Sequence, residues 1–214
     1  MATVDTGTGV LKAAVQSAER ALGIEHSALE RFMELGTASL GEAISLLLAC
    51  SGRIVVLGLG KSGHVGAKMA ATLSSTGSPS FFMHATEALH GDSGGLVPGD
   101  VVIALSNSGE TSEVVTMARY ARSQGIPVIC VLSKPESTLA RLSNVVIDTC
   151  TVTEADPLGL APTASTTVTV AIGDALASGL MTARNFTREQ FFQRHPQGSL
   201  GNLLATEIHE ETRS

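Results

Sequence analysis

The sequence has no tryptophan, one tyrosine and six phenylalanines. A core built from such a chain must pack small aliphatic side chains, as α/β sheets do. Positive charge is also short: 14 Lys and Arg stand against 20 Asp and Glu, a formal net charge of −6. This balance argues against broad binding to nucleic acid or to acidic membranes, so an anionic ligand has to be captured by local fields. Cysteine is scarce as well. Cys50, Cys130 and Cys150 lie in or beside apolar segments without metal-ligand spacing, and an odd count argues against a disulfide framework. With no recognisable signal peptide, the expected compartment is a reducing cytoplasm. No apolar run is expected to be long enough to cross a bilayer. Internal repeats, low-complexity tracts and linkers are missing, so the 214 residues are expected to form one domain with a sizeable core. Residues 1–9 are small and polar and are expected to be disordered. The domain is expected to occupy 10–205, with 206–214 as a tail.

What is present alternates. Helical patterns cover residues 10–35 and 40–50, the first with apolar spacing at Val15, Leu22, Leu29, Phe32 and Met33. Short continuous apolar runs near 53–58, 80–84, 101–106, 127–132 and 145–149 read as strands buried on both faces of a parallel sheet. Helical patterns near 62–76, 111–124 and 137–142 separate most of them. Pro162 suits the first turn of a long helix reaching about residue 184, and a last helix covers 187–194. The expected fold class is α/β, a three-layer α-β-α sandwich around a five-stranded parallel sheet. Ligands in such sheets sit at the carboxyl ends of the strands.

Two loops fall at those ends. Ser106-Asn107-Ser108-Gly109-Glu110-Thr111 joins an apolar run to a helical one. Unpaired N–H groups at a helix start carry about half a positive charge, and Ser and Thr hydroxyls add rotatable donors. The loop contains no basic residue, so it would hold a phosphate by dipoles and hydrogen bonds. The plain alternative is a capped helix with Ser108 as N-cap and Glu110 and Glu113 in the first turn. The second loop is Gly58-Leu59-Gly60-Lys61-Ser62-Gly63-His64. It spells GxGxxG and ends like a Walker A loop. Walker A, however, needs a glycine where Val55 stands, and no acidic residue ends the next strand, as a dinucleotide site requires. Two such loops point to one phosphorylated ligand gripped from two sides.

These loops resemble the SIS (sugar isomerase) domain family, a phosphosugar-binding, flavodoxin/Rossmann-like α/β sandwich. Further motifs resemble the bacterial D-arabinose 5-phosphate isomerases within it. They are residues 60–64 (GKSGH), 76–82 (TGSPSFF), 87–92 (EALHGD), 157–163 (PLGLAPT) and 195–201 (HPQGSLG). The similarity runs from about residue 53 to 203. It departs at Gln197, where a second glycine is expected. Many members also carry a pair of CBS regulatory domains after this point, whereas this sequence stops at Ser214.

The resemblance implies interconversion of D-ribulose 5-phosphate and D-arabinose 5-phosphate through a cis-enediol, without cofactor or required metal. Such chemistry needs a base for the carbon-bound proton, an acid for the oxygens, and a group that stabilises oxyanion charge. Ser62, Ser106, Asn107, Ser108 and Thr111 match phosphate-binding positions. Lys61, Glu113, Glu154 and His195 match catalytic ones. Gly60, His90 and Thr163 are expected to line the pocket, and His90 is a candidate for inhibitory metal binding. Each has a plain alternative. Lys61 can be a solvated lysine, although it opposes the α-helix dipole there. Glu113 can satisfy that dipole, Glu154 can be a solvated loop acid, and His195 can close a helix C-terminus. His90 and Asp92 are too few to define a metal site. His64 suits the pocket and a structural role equally. The resemblance assigns the enediol base to Glu154 or Glu113, ring opening or oxygen-proton shuttling to His195, and oxyanion stabilisation to Lys61. Partners implied are a phosphorylated pentose and identical subunits, a homotetramer (dimer of dimers) in which His195 serves a neighbour's site. Nucleic acid and membrane are not implied. Two pathways fit the resemblance, lipopolysaccharide 3-deoxy-manno-octulosonate synthesis and sugar-alcohol use. Alternatives are phosphoheptose or 6-phospho-3-hexulose isomerisation, or a phosphosugar sensor without turnover.

Overall fold

β1 (Ile54–Gly58), β2 (Ser80–His84), β3 (Val101–Leu105), β4 (Val128–Leu132) and β5 (Val145–Asp148) form one parallel sheet in the order β2-β1-β3-β4-β5. They are seen in a computed structural model, which describes residues 8–150 and 153–195. Ile54 pairs with Ser80 and with Val101, Val102 with Val128, and Ile129 with Val145. The strands are therefore level, and Gly58, His84, Leu105, Leu132 and Asp148 share one edge.

Alternation along each strand builds two cores. Ile54, Val56, Ile103, Leu105, Ile129 and Val131 face one side. There they meet α1 (Thr8–Leu35), α2 (Leu40–Leu48), α3 (Gly60–Ser75) and α7 (Ala164–Ala183), through Phe32, Leu47, Met69 and Ile172 among others. Val55, Leu57, Val102, Ala104, Val128 and Cys130 face the other side. Their cover is α4 (Ala85–Leu89), α5 (Ser112–Ser123) and α6 (Thr138–Leu142). Each fully buried aliphatic side chain stabilises by about 1.5–3 kcal/mol, so residues on both faces of a strand hold it in register. Burial pushes the Cys130 thiol up to about 11, consistent with an inert core residue. α8 (Arg188–Arg194) opens with a capping box between Thr187 and Gln190 and buries none of its residues.

The structure differs from expectation in a few places. α1 begins at Thr8 and buries only Ala28 and Phe32, leaving Val15, Leu22 and Met33 exposed. A 3-10 turn, Thr37–Ser39, precedes α2, which ends at Leu48. α4 and the 3-10 turn Asp92–Gly95 are additional. Each is too short to show a period. α7 starts at Ala164, after Pro162, because Thr163 is its N-cap. α7 also has the length and hydropathy to cross a bilayer, against the expectation that no segment does. Here it packs against α3, α1 and α2, and its Asp174 pairs with Lys68. The expectations for residues 1–7 and 196–214 lie outside the described residues.

Candidate functional site

At the carboxyl edge, β1 runs into α3 through Leu59, with Gly60 in the left-handed region at φ +59°. That turn puts Lys61 and Ser62 in the first turn of α3. Lys61 is exposed and has no ion-pair partner among the described residues. Ser62 is half-buried.

The loop after β3 is held from several sides. Ser106 is buried, its Oγ lies 2.8 Å from Thr111 Oγ1, and it accepts from the Gly109 N–H at 3.1 Å. Ser133 N–H donates to the Asn107 carbonyl at 2.9 Å. Gly109 sits at φ +65°, and a Cβ there would lie 2.1 Å from Ser137 Oγ, so glycine is required twice over. Glu110 accepts from the Thr138 N–H at 2.7 Å, which caps α6 and holds the Glu110 carboxyl below its ordinary value. The N-cap of α5 is Thr111 rather than Ser108, and Glu110 precedes the helix instead of lying in its first turn. Ser108 Oγ accepts from the Glu110 N–H at 3.2 Å. A rigid loop thus presents Asn107 and Ser108 outward, both exposed, beside the unpaired N–H groups that begin α5.

The two candidate glutamates have contrasting surroundings. Glu113 is partly exposed in the first turn of α5. Its own backbone N–H and the Ser112 hydroxyl, 2.8 Å away, hold its carboxyl below the ordinary 4.5. Glu154 is not a solvated loop acid. Its Oε2 accepts from Thr163 N–H (2.8 Å), Thr163 Oγ1 (3.1 Å) and Ser165 N–H (3.3 Å), and its Oε1 accepts from Ser165 Oγ. Four donors meet about four lone-pair sites. Glu154 therefore caps α7, where a negative charge suits the helix dipole. Thr163 Oγ1 is further engaged by the Ala155 N–H at 2.7 Å.

The structure brings Ser62, Ser106 and Asn107 together around a recess of about 40 Å³ at the carboxyl edge. Thr149, Ser165, Thr166 and Thr169 add hydroxyls to its lining, and Leu105, Val131, Leu132 and Pro162 supply its apolar part. The sequence reading missed the four hydroxyl-bearing residues; the only signal was a run of hydroxyl residues opening α7 and one following β5.

None of the other expected residues lines the recess: Gly60, Lys61, Ser108, Thr111 and Glu113 lie on the flanking loops and first turns, Glu154 and Thr163 at the start of α7, and His90 and His195 are on other elements. His90 is exposed at the C-cap of α4. Among the described residues, no group of three His, Cys, Asp or Glu side chains could hold a metal. His195 stacks on Phe191, with ring centroids 4.0 Å apart, and its Nδ1 lies 2.9 Å from the Phe191 carbonyl oxygen. Its helix begins near the opposite edge, because Arg184 after α7 donates to Ser78 Oγ (2.6 Å) and the Gly77 carbonyl (3.3 Å), ahead of β2. α7, with 20 residues, spans about 30 Å, and the seven-residue α8 can return only about 10 Å.

Comparison with known proteins adds identity to this geometry. The family model of the SIS domain matches residues 47–179. A Pseudomonas aeruginosa protein, arabinose 5-phosphate isomerase KdsD, is 49% identical over 196 residues, which cover 92% of this chain and 60% of that protein. KdsD of Escherichia coli K12 is 46% identical over 195 residues, covering 91% and 60%. The chain thus spans about three fifths of the length of these curated relatives. A solved E. coli CFT073 structure in complex with arabinose 5-phosphate superposes with a TM-score of 0.83 at 38% identity, covering 86% of this chain and 98% of that one.

Proposed function

This chain belongs to the SIS domain family, and from that premise we propose that it is an aldose–ketose isomerase interconverting D-arabinose 5-phosphate and D-ribulose 5-phosphate. The observation that carries the reading is the meeting of Ser62, Ser106 and Asn107 at one recess, beside the first turns of α3 and α5. Two helix starts with hydroxyl donors and no fixed carboxylate at the recess suit a phosphate dianion. The relatives named KdsD and the neighbour bound to arabinose 5-phosphate support the choice of sugar.

In this reading the substrate phosphate rests on Asn107, Ser108 and the N–H groups of α5. Ser106 and Thr111, bonded to each other, brace the loop that presents them. Ser62 adds a hydroxyl from α3. Glu113 removes the proton from C2 of the open-chain aldose and returns it to C1, passing through a cis-enediolate. Lys61 stabilises the oxyanion that forms when the carbonyl becomes the enediolate. Glu154 holds the first turn of α7 and positions rather than reacts. His195 serves ring opening or the oxygen proton in a neighbouring subunit's site, since its own chain places it far from Lys61. A homotetramer would supply that neighbour. Val10, Leu11, Val15 and Leu22 on α1, with Leu158 and Leu160, are among the exposed apolar residues available for contact. No metal takes part in these steps.

Incubating the protein with D-arabinose 5-phosphate in EDTA and assaying D-ribulose 5-phosphate tests the proposal. Conversion is expected. Saturable binding without conversion would leave a phosphosugar site of another purpose, and activity only after adding a divalent metal would remove the metal-free mechanism.

A further inference from the structure

Thr149 directly follows β5, its N–H bonded to the Leu132 carbonyl on β4 at 2.8 Å. Its side chain is 2% exposed, yet Oγ1 has no hydrogen-bond partner among the described residues. Buried hydroxyls are nearly always paired, because desolvation is otherwise uncompensated. This one lines the recess already described. The neighbouring hydroxyls differ from it. Thr166 Oγ1 donates to the Thr163 carbonyl and Thr169 Oγ1 to the Ser165 carbonyl, both at 2.8 Å. Their hydrogens are committed to the helix, and their oxygens keep lone pairs. Thr149 keeps a hydrogen to give.

Thr149, Thr166 and Thr169 therefore offer one donor and two acceptors on their side of the recess, apart from Ser62 and Asn107. A sugar hydroxyl, which both donates and accepts, matches that set. A phosphate oxygen set against Thr166 and Thr169 would face their lone pairs, so the phosphate belongs on the side of the recess that Ser62 and Asn107 line. Position agrees: Thr149 follows β5, two strands from the β3 end that carries Ser106 and Asn107, and reaches the recess they also line. At about 40 Å³ the recess admits one hydroxyl or one water rather than a whole sugar. We propose that Thr149 is a specificity residue that receives one hydroxyl of the open-chain phosphosugar while its phosphate rests at residues 106–111. This rests on the phosphosugar reading of the site.

The test compares wild type, T149V, which keeps the shape and loses the hydroxyl, and T149S, which keeps the hydroxyl. Calorimetry measures binding of D-arabinose 5-phosphate and of inorganic phosphate, kinetics give KM and kcat, and a thermal melt reports the free protein. T149V is expected to weaken sugar-phosphate binding and raise KM about tenfold with kcat little changed. It should leave inorganic phosphate affinity unchanged and melt no lower than wild type, because an orphan hydroxyl has been removed. T149S restores binding. Unchanged sugar-phosphate affinity in T149V overturns the proposal, and a lowered melting temperature beside it would assign the hydroxyl to a structural water. An equal loss for inorganic phosphate also overturns it, making Thr149 a phosphate ligand. If wild type binds the sugar phosphate without converting it, the isomerase reading fails and the binding comparison still decides Thr149. Binding of neither probe by wild type removes both.

Discussion

Glu113 meets two donors and Glu154 meets four, and the proposed division of their roles rests on that difference. E113Q is expected to lower kcat by about 10²–10⁴-fold without changing the melting temperature. E154Q is expected to lower the melting temperature, because one face of an amide donates where the α7 cap needs an acceptor. Kinetics and melts on the two variants check this, and the reverse pattern would exchange the roles. Glu113 is held below 4.5, so it is ionised at neutral pH, and its acid limb in kcat/KM should fall below that value. The sequence alone could not rank these residues. Each is an acid beside family-like motifs, and only the fold brings Thr163 and Ser165 around Glu154. Gly109 was legible as part of a loop, but the Ser137 contact that forbids a side chain was not.

Among the elements, the segment between β5 and α7 owes its shape to Asp156. Burial pushes this carboxyl up, but N–H groups of Leu158, Ala161 and Leu160 outweigh it and hold it below its ordinary 3.8. A depressed carboxyl stabilises the fold above its unfolded value and loses that contribution as pH falls through the folded one. D156N should therefore be less stable than wild type at pH 7 in urea, and the gap should narrow below about pH 3.8. A constant gap across that range would contradict it. The strands were the most legible elements, because unbroken apolar runs in β1, β3 and β4 are buried along their whole length. α4 was not legible, since five residues make little more than one turn. The start of α7 was misplaced because its cap comes from Glu154, outside the local sequence.

At the scale of the whole molecule, one chain holds Lys61, Glu113 and the two loops proposed to bind phosphate at the carboxyl edge and carries His195 away from them. Mixing K61A with H195A under conditions that exchange subunits should recover activity, since a site pairing Lys61 of one chain with His195 of another becomes intact. Recovery would be missing if each chain used its own histidine. The three-layer sandwich was legible from the alternation of elements. The subunit question was not, because α1 spreads its apolar residues over faces that one chain does not cover, with Leu22 69% exposed.

The most direct test of the account is isomerisation of D-arabinose 5-phosphate in D₂O by wild type and E113Q. Glu113 is partly exposed, so the proton it takes exchanges with solvent. Wild type is predicted to place deuterium at C1 of the D-ribulose 5-phosphate formed, and E113Q to lose conversion and label together. Conversion by wild type without deuterium, or undiminished conversion by E113Q, would contradict it.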